Sequence, residues 1–117
     1  LYKITRIMGT VLDRDKSKST VTLLTKKGVV NVKIYGNAFA NYDKQISTKD
    51  PMTGKKTIQE RSWFKRGNKI IATGIRRGSN EFVCKKYKST PFHMIELITN
   101  INDDGTIEVK SEREVAV

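Results

Sequence analysis

The chain has 117 residues, 37% of them hydrophobic and 30% charged, with 23 Lys and Arg against 12 Asp and Glu for a formal net charge of +11. That length holds one domain with a small core. Apolar runs recur along it, which excludes a disordered chain, and none approaches the roughly 18 residues needed to span a bilayer. The charge is lopsided: residues 1–88 carry 21 basic and 6 acidic side chains (+15), and residues 89–117 carry 2 and 6 (−4). So basic a first part favours a polyanionic partner. A membrane surface would require a basic amphipathic helix; none is visible, and no membrane partner is expected. Cys84 and His93 are single, so neither a disulfide framework nor a cysteine-type zinc site is available. A strand cysteine reads as a small buried hydrophobe. A reducing, cytoplasmic compartment is the expectation, with no cofactor. The opening residue is Leu1 rather than Met, which hints at a piece of a longer protein.

In chain order, Tyr2–Leu12 reads as a long strand with apolar residues on both faces, and Gly9 suggests a bulge or a close backbone approach. Asp13–Ser19 is polar and turn-rich, a loop. Thr20–Thr25 and Val29–Tyr35 alternate with period 2 around Lys26-Lys27-Gly28, which predicts a hairpin. Val30, Val32 and Ile34 form its core face, leaving Lys33 and Tyr35 on a candidate binding face. After Gly36-Asn37, the spacing of Phe39, Tyr42 and Ile46 predicts a short amphipathic helix over about residues 38–46, able to plug one end of a small barrel. Ser47–Glu60 reads as an exposed excursion, with a small mobile hairpin as one form. Its Gly54-Lys55-Lys56-Thr57 lacks the earlier glycine and the strand-to-helix context of a phosphate-binding P-loop.

Residues 62–88 carry the densest signal. Lys69–Arg76 and Glu81–Lys86 are strands around a Gly78-Ser79-Asn80 turn. Eight cations (Lys65, Arg66, Lys69, Arg76, Arg77, Lys85, Lys86, Lys88) face one acid, Glu81, and Trp63, Phe64, Phe82 and Tyr87 lie among them. Cations supply phosphate affinity and aromatic faces supply base stacking, the combination of a single-strand nucleic-acid surface. The candidate nucleic-acid-binding residues are Lys26, Lys27, Lys33, Tyr35, Arg76, Arg77, Phe82, Lys85, Lys86 and Tyr87. Tyr35, Phe82 and Tyr87 are the candidates for stacking, and Trp63 is assigned to the core or its rim. After a break at Lys88–Pro91, residues 92–112 form a terminal hairpin turned at Asn102-Asp103-Asp104-Gly105; it is acidic and reads as an appendage or an interaction element.

Three meandering strands, a helix and a second hairpin make an all-β chain with one short helix, the layout of the OB-fold, a five-stranded Greek-key barrel, here with a C-terminal hairpin. The helix argues against an SH3-like barrel. The run ITRIMGTVLDRDKSKSTVTLLTKKGVVNVKIYGNAFANYD, with SWFKRGNKIIATGIRRGSNEFVCKKYKSTPFHMIELI, resembles the OB-fold domain near the C-terminus of the α subunit of bacterial DNA polymerase III. The resemblance is most specific at GTVLDRDKSKSTVTLLT, VVNVKIYG and WFKRGNKI followed by RRG and KKY. It implies a module that holds single-stranded template DNA near a polymerase active site located in other domains. The catalytic aspartates of that family have no counterpart here, so no catalytic or metal-binding residue is carried over.

Two other readings are carried. A protein-docking module, joining the replicase to other replisome proteins, would give the same charge pattern. An OB-fold nuclease would need carboxylates converging on the basic face, where Glu81 is the only one near. RNA in place of DNA is also open.

Overall fold

The alternating apolar stretches fold as strands wherever a partner covers their inner face. The computed structural model describes residues 3–35, 38–78, 80–84 and 94–110. Its elements are β1 (Ile4–Asp15), β2 (Thr20–Thr25), β3 (Gly28–Ile34), α1 (Ala38–Tyr42), β4 (Asp43–Lys49), β5 (Lys56–Ser62), β6 (Lys69–Arg77), β7 (Glu81–Cys84), β8 (Ile95–Ile101) and β9 (Ile107–Lys110). Five strands close on themselves in the order β1-β2-β3-β7-β6, with β6 returning to β1. The β3–β7 pair is parallel and the other pairs are antiparallel. This is the OB-fold barrel.

β1 makes the closure possible. Its first part, Ile4–Thr10, pairs with Lys69–Ile75 of β6, and its last part, Thr10–Asp15, pairs with β2. The register slips between Val11 and Asp13, so Leu12 is a bulge, the device that bends a strand from one sheet edge to another. The expected loop at Asp13–Ser19 is therefore shorter. β1 runs to Asp15 and only Lys16–Ser19 turns. The polar residues 13–15 hid the strand because the bulge resets the alternation.

The interior is filled by Val11, Val21, Leu23, Val30, Val32, Ile34, Ile70, Ala72, Phe82 and Cys84. Burial pushes the Cys84 thiol up to about 12, so it is protonated at neutral pH and acts as a small apolar side chain. An aromatic group joins this core. Phe39 lies 5.0 Å from Phe64, and Tyr42 lies 5.1 Å from Trp63 and 5.8 Å from Phe64, between ring centroids. The Trp63 N–H donates to the Tyr42 carbonyl at 2.8 Å.

The expected helix over about 38–46 ends at Tyr42. Residues 43–49 instead form β4, paired along its whole length with β5 in a separate two-stranded sheet. A helix this short is marginal by itself, and β-branched Ile46 and Thr48 suit a strand. The excursion predicted at Ser47–Glu60 is thus the outer part of a regular hairpin arm. The terminal hairpin also differs from a pure appendage. Ile95 and Leu97 of β8 pair with Ala72 and Ile70 of β6, and Met94 and Ile95 are buried in the core. Arg6 and Glu96 form an ion pair over this junction. Beyond it β9 is exposed.

Two glycines sit where the barrel wall has no room. A Cβ on Gly9 would meet the Leu23 Cβ and the Leu24 carbonyl oxygen at 3.0 Å, and one on Gly74 would lie 2.1 Å from the Val83 carbonyl oxygen. The second clash is against backbone and cannot be relieved by a rotamer change. We expect Gly74→Ala to lower the unfolding free energy by about 3 kcal/mol, at the upper end of ordinary overpacking costs, measured by urea denaturation; Met52→Ala, at a side chain 91% exposed, serves as the reference variant.

Candidate nucleic-acid interface

The outer face of β2 and β3 is built by residues opposite the core alternation: Thr20, Thr22, Leu24, Val29, Asn31 and Lys33. Cross-strand pairing sets Thr20 against Lys33 and Thr22 against Asn31. β7 extends the face, with Asn31 beside Glu81, and Arg77 of β6 stands opposite Glu81. From the other side β1 contributes Asp13 opposite Thr22 and Asp15 opposite Thr20.

Each expected residue has a distinct place. Lys33 is half-buried, and its Nζ lies 5.3 Å from the centroid of the Tyr35 ring, a cation–π geometry. Tyr35 is 42% exposed, and its N–H donates to the Cys84 carbonyl at 3.1 Å. Its partly exposed ring therefore stands on a fixed backbone with the Lys33 ammonium over one face. Lys26 and Lys27 are exposed in the β2–β3 turn, where the Thr25 hydroxyl donates to the Gly28 carbonyl at 2.8 Å and accepts from the Lys27 N–H at 3.2 Å. Arg76 and Arg77 are exposed at the end of β6. Being neighbours on a strand they point to opposite sides: Arg77 shares the outer side with Glu81, while Arg76 pairs with Phe82 and its Nε donates to the Gly78 carbonyl at 3.3 Å. Lys85, Lys86 and Tyr87 lie outside the described residues.

Phe82 is a correction. Its side chain is fully buried, 0% exposed, inside the barrel, so it cannot stack on a base. The pairing of β7 puts Glu81 outward and Phe82 inward, and the neighbouring charges obscured that in the sequence.

The groove over this face has a volume of about 350 Å³ and is lined by Asp13, Asp15, Lys18, Thr20, Thr22, Asn31, Lys33 and Glu81. Two ammonium groups thus face three carboxylates. A hydrogen bond from the Ser17 hydroxyl, at 2.6 Å, holds the Asp15 carboxyl below its usual range, so it stays ionised. The expectation that Glu81 was the only acid near the binding face is overturned, because the bulge carries Asp13 and Asp15 onto it. Among the described residues, no group of three acidic, His or Cys side chains is placed to hold a metal ion.

One residue that the sequence reading left unassigned organises the edge of the site. Asp43 is buried, with its side chain 1% exposed, and Arg14 Nη1 lies 3.2 Å from Oδ1 while Lys16 Nζ lies 3.6 Å from Oδ2. Arg14 pairs with the core residue Val21, so it points to the inner side of the sheet and meets Asp43 at the start of β4. Nothing in the spacing of residues 14 and 43 announces that contact.

Fold and groove together define the class: an OB-fold module with a polar, mixed-charge groove across its second and third strands. Over 113 residues the chain is 44% identical to the Probable DNA polymerase YorL of Bacillus subtilis (strain 168), and the DNA-directed DNA polymerase of Bacillus phage SPbeta matches equally well. Each match covers 96% of this chain and 8% of the relative, so the chain corresponds to a small segment of those polymerases. No protein-family profile and no solved structure matches it.

Two substitutions separate packing from binding. Phe82→Ala should cost about 3–5 kcal/mol of stability, as expected for a buried aromatic, whereas Tyr35→Ala should leave the urea midpoint nearly unchanged. At the buried pair, Arg14→Met should cost about 3 kcal/mol by leaving a buried carboxylate with less compensation. Lys16, 55% exposed, should cost under about 1 kcal/mol when changed to Ala, both read by denaturant unfolding.

Proposed function

We propose that this chain is a non-catalytic module of a DNA polymerase that binds single-stranded DNA and holds the template strand near a polymerase site in another part of the same protein. The observation that carries the reading is the pairing of an OB-fold barrel with 44% identity to a segment of DNA polymerases. The basic first 88 residues, at +15, supply the field that draws in a polyanion. Tyr35, with Lys33 beside it, supplies an exposed ring for a base, and Lys26, Lys27 and Arg77 supply cations at the ends of the face. The α subunit of bacterial DNA polymerase III is the particular replicase that the sequence resembles, and we assign the module to that type of polymerase.

A second reading, docking to another replisome protein, is favoured by the terminal hairpin. Ile98 pairs with Val109 and Ile101 with Ile107, and Ile101, Ile107 and Val109 are exposed, an apolar strip on an element whose charge is acidic.

A salt-titrated binding series with single-stranded DNA, duplex DNA and RNA of equal length tests the main reading. We expect preference for single strands and, for four or five phosphate contacts, a slope of log K against log salt of about −3, at roughly −0.7 per contact. Tyr35→Ala should weaken binding by about 1–3 kcal/mol. A flat salt response, or tight binding to duplex in preference to single strands, would overturn it.

A further inference from the structure

The cations of this molecule are not concentrated where the groove lies. In the β2–β3 groove, Lys18 and Lys33 face Asp13, Asp15 and Glu81, a local sum of −1. A second cleft, of about 610 Å³, lies between the β1 bulge and the connection from β5 to β6, and is lined by Leu12, Asp13, Arg14, Phe64, Lys65 and Arg66. Arg14 is paired with Asp43, which leaves Lys65 and Arg66 against the Asp13 carboxylate, a sum of +1. Among the described residues neither Lys65 nor Arg66 is ion-paired, and both are exposed.

We propose that this cleft is a phosphate seat for the strand that crosses the barrel, taking one or two backbone phosphodiesters on Lys65 and Arg66, with Arg14 forming part of its wall. The inference rests on the single-stranded DNA reading above and moves the main electrostatic anchor away from the groove. The cations are held ready. Val11 and the loop are tied by two backbone bonds, Val11 N–H to the Asn68 carbonyl at 2.8 Å and Gly67 N–H to the Val11 carbonyl at 2.9 Å. The Asn68 N–H donates to the Lys65 carbonyl at 3.0 Å, which shapes the turn. The Asn68 side chain donates to the Ser62 and Trp63 carbonyls at 3.3 Å each. Phe64, buried in the core, anchors the floor. Arg14 is held in place by Asp43. The pinned backbone fixes where the guanidinium and the ammonium start, so that only side-chain freedom is lost on meeting a phosphate, and charge-assisted hydrogen bonds to phosphate oxygens are the strong kind. The cleft adjoins the groove through Asp13, which lines both. One strand can therefore place bases along the β2–β3 face, over Lys33 and Tyr35, while its backbone turns away from the three carboxylates into the cleft.

The test compares wild type with Lys65→Ala/Arg66→Ala and Lys65→Glu/Arg66→Glu, using fluorescence anisotropy on oligothymidylates of about 4 to 16 nucleotides and on an abasic deoxyribose-phosphate strand, across a salt series. Both variants should unfold at the wild-type denaturant midpoint, since the side chains are exposed. The alanine pair should make the salt slope shallower by about 1.4, two contacts at roughly 0.7 each. The glutamate pair should weaken binding further. The loss should be as large on the abasic strand as on the oligothymidylate, because the seat reads phosphate. If wild type binds the strands and the alanine pair keeps the same affinity and slope, the cleft is not the seat and the groove reading stands alone. A loss confined to strands that carry bases also overturns the phosphate seat. If wild type binds no single strand at all, the functional reading itself fails.

Discussion

Everything in this molecule depends on one strand serving two partners. β1 pairs with β6 through its first part and with β2 through its last part, and the barrel has no other way to close. Two features make that possible in sequence terms. The bulge at Leu12 supplies the bend, and glycines at positions 9 and 74 let neighbouring backbones come closer than a Cβ allows. Closure removes the exposed sheet edges that an open five-stranded sheet would present. It also dictates where polar side chains go, because the same bulge that points Val11 inward sends Asp13 and Asp15 outward and Arg14 back toward Asp43.

The charge distribution follows from that geometry rather than from the count of lysines. A net charge of +11 sets the long-range field, but local sums set the potential at each part of the surface. The groove over β2 and β3 is polar and slightly acidic, lined by hydroxyls, an amide and charged side chains. The cations stand at its borders: Lys26 and Lys27 in one turn, Arg76 and Arg77 near another, and Lys65 and Arg66 beside the bulge. Such a division sets a carboxylate-bearing centre apart from cationic edges.

Two elements go beyond the barrel. The β4–β5 arm forms its own sheet, and its base is fastened by the Asp43 ion pairs and by the Tyr42–Trp63 contact. The β8–β9 hairpin begins as part of the barrel wall and ends as an exposed ribbon with apolar residues on one side. The matching relatives are some twelve times longer than the chain, since it covers only 8% of each.

The amino-acid order alone reveals the barrel class, the β2–β3 hairpin with its buried Val30, Val32 and Ile34, and the basic character of the first 88 residues, because period-2 alternation, turn residues and charge are local properties. It also led to the polymerase resemblance, through runs of residues such as VVNVKIYG. What it did not determine were the length of α1, the strand character of residues 43–49, the inward turn of Phe82 and the outward turn of Asp13 and Asp15. Each of these depends on a partner far away in the chain. The helix ended where β5 offered a ladder, Phe82 turned inward because β3 and β6 set the register of β7, and the two aspartates reached the face because a single bulge shifted the phase of β1. Only the tertiary structure joined Arg14 to Asp43, and set Arg14 beside Lys65 and Arg66 across fifty residues of sequence, since pairing between strands, not spacing along them, decides which charges meet.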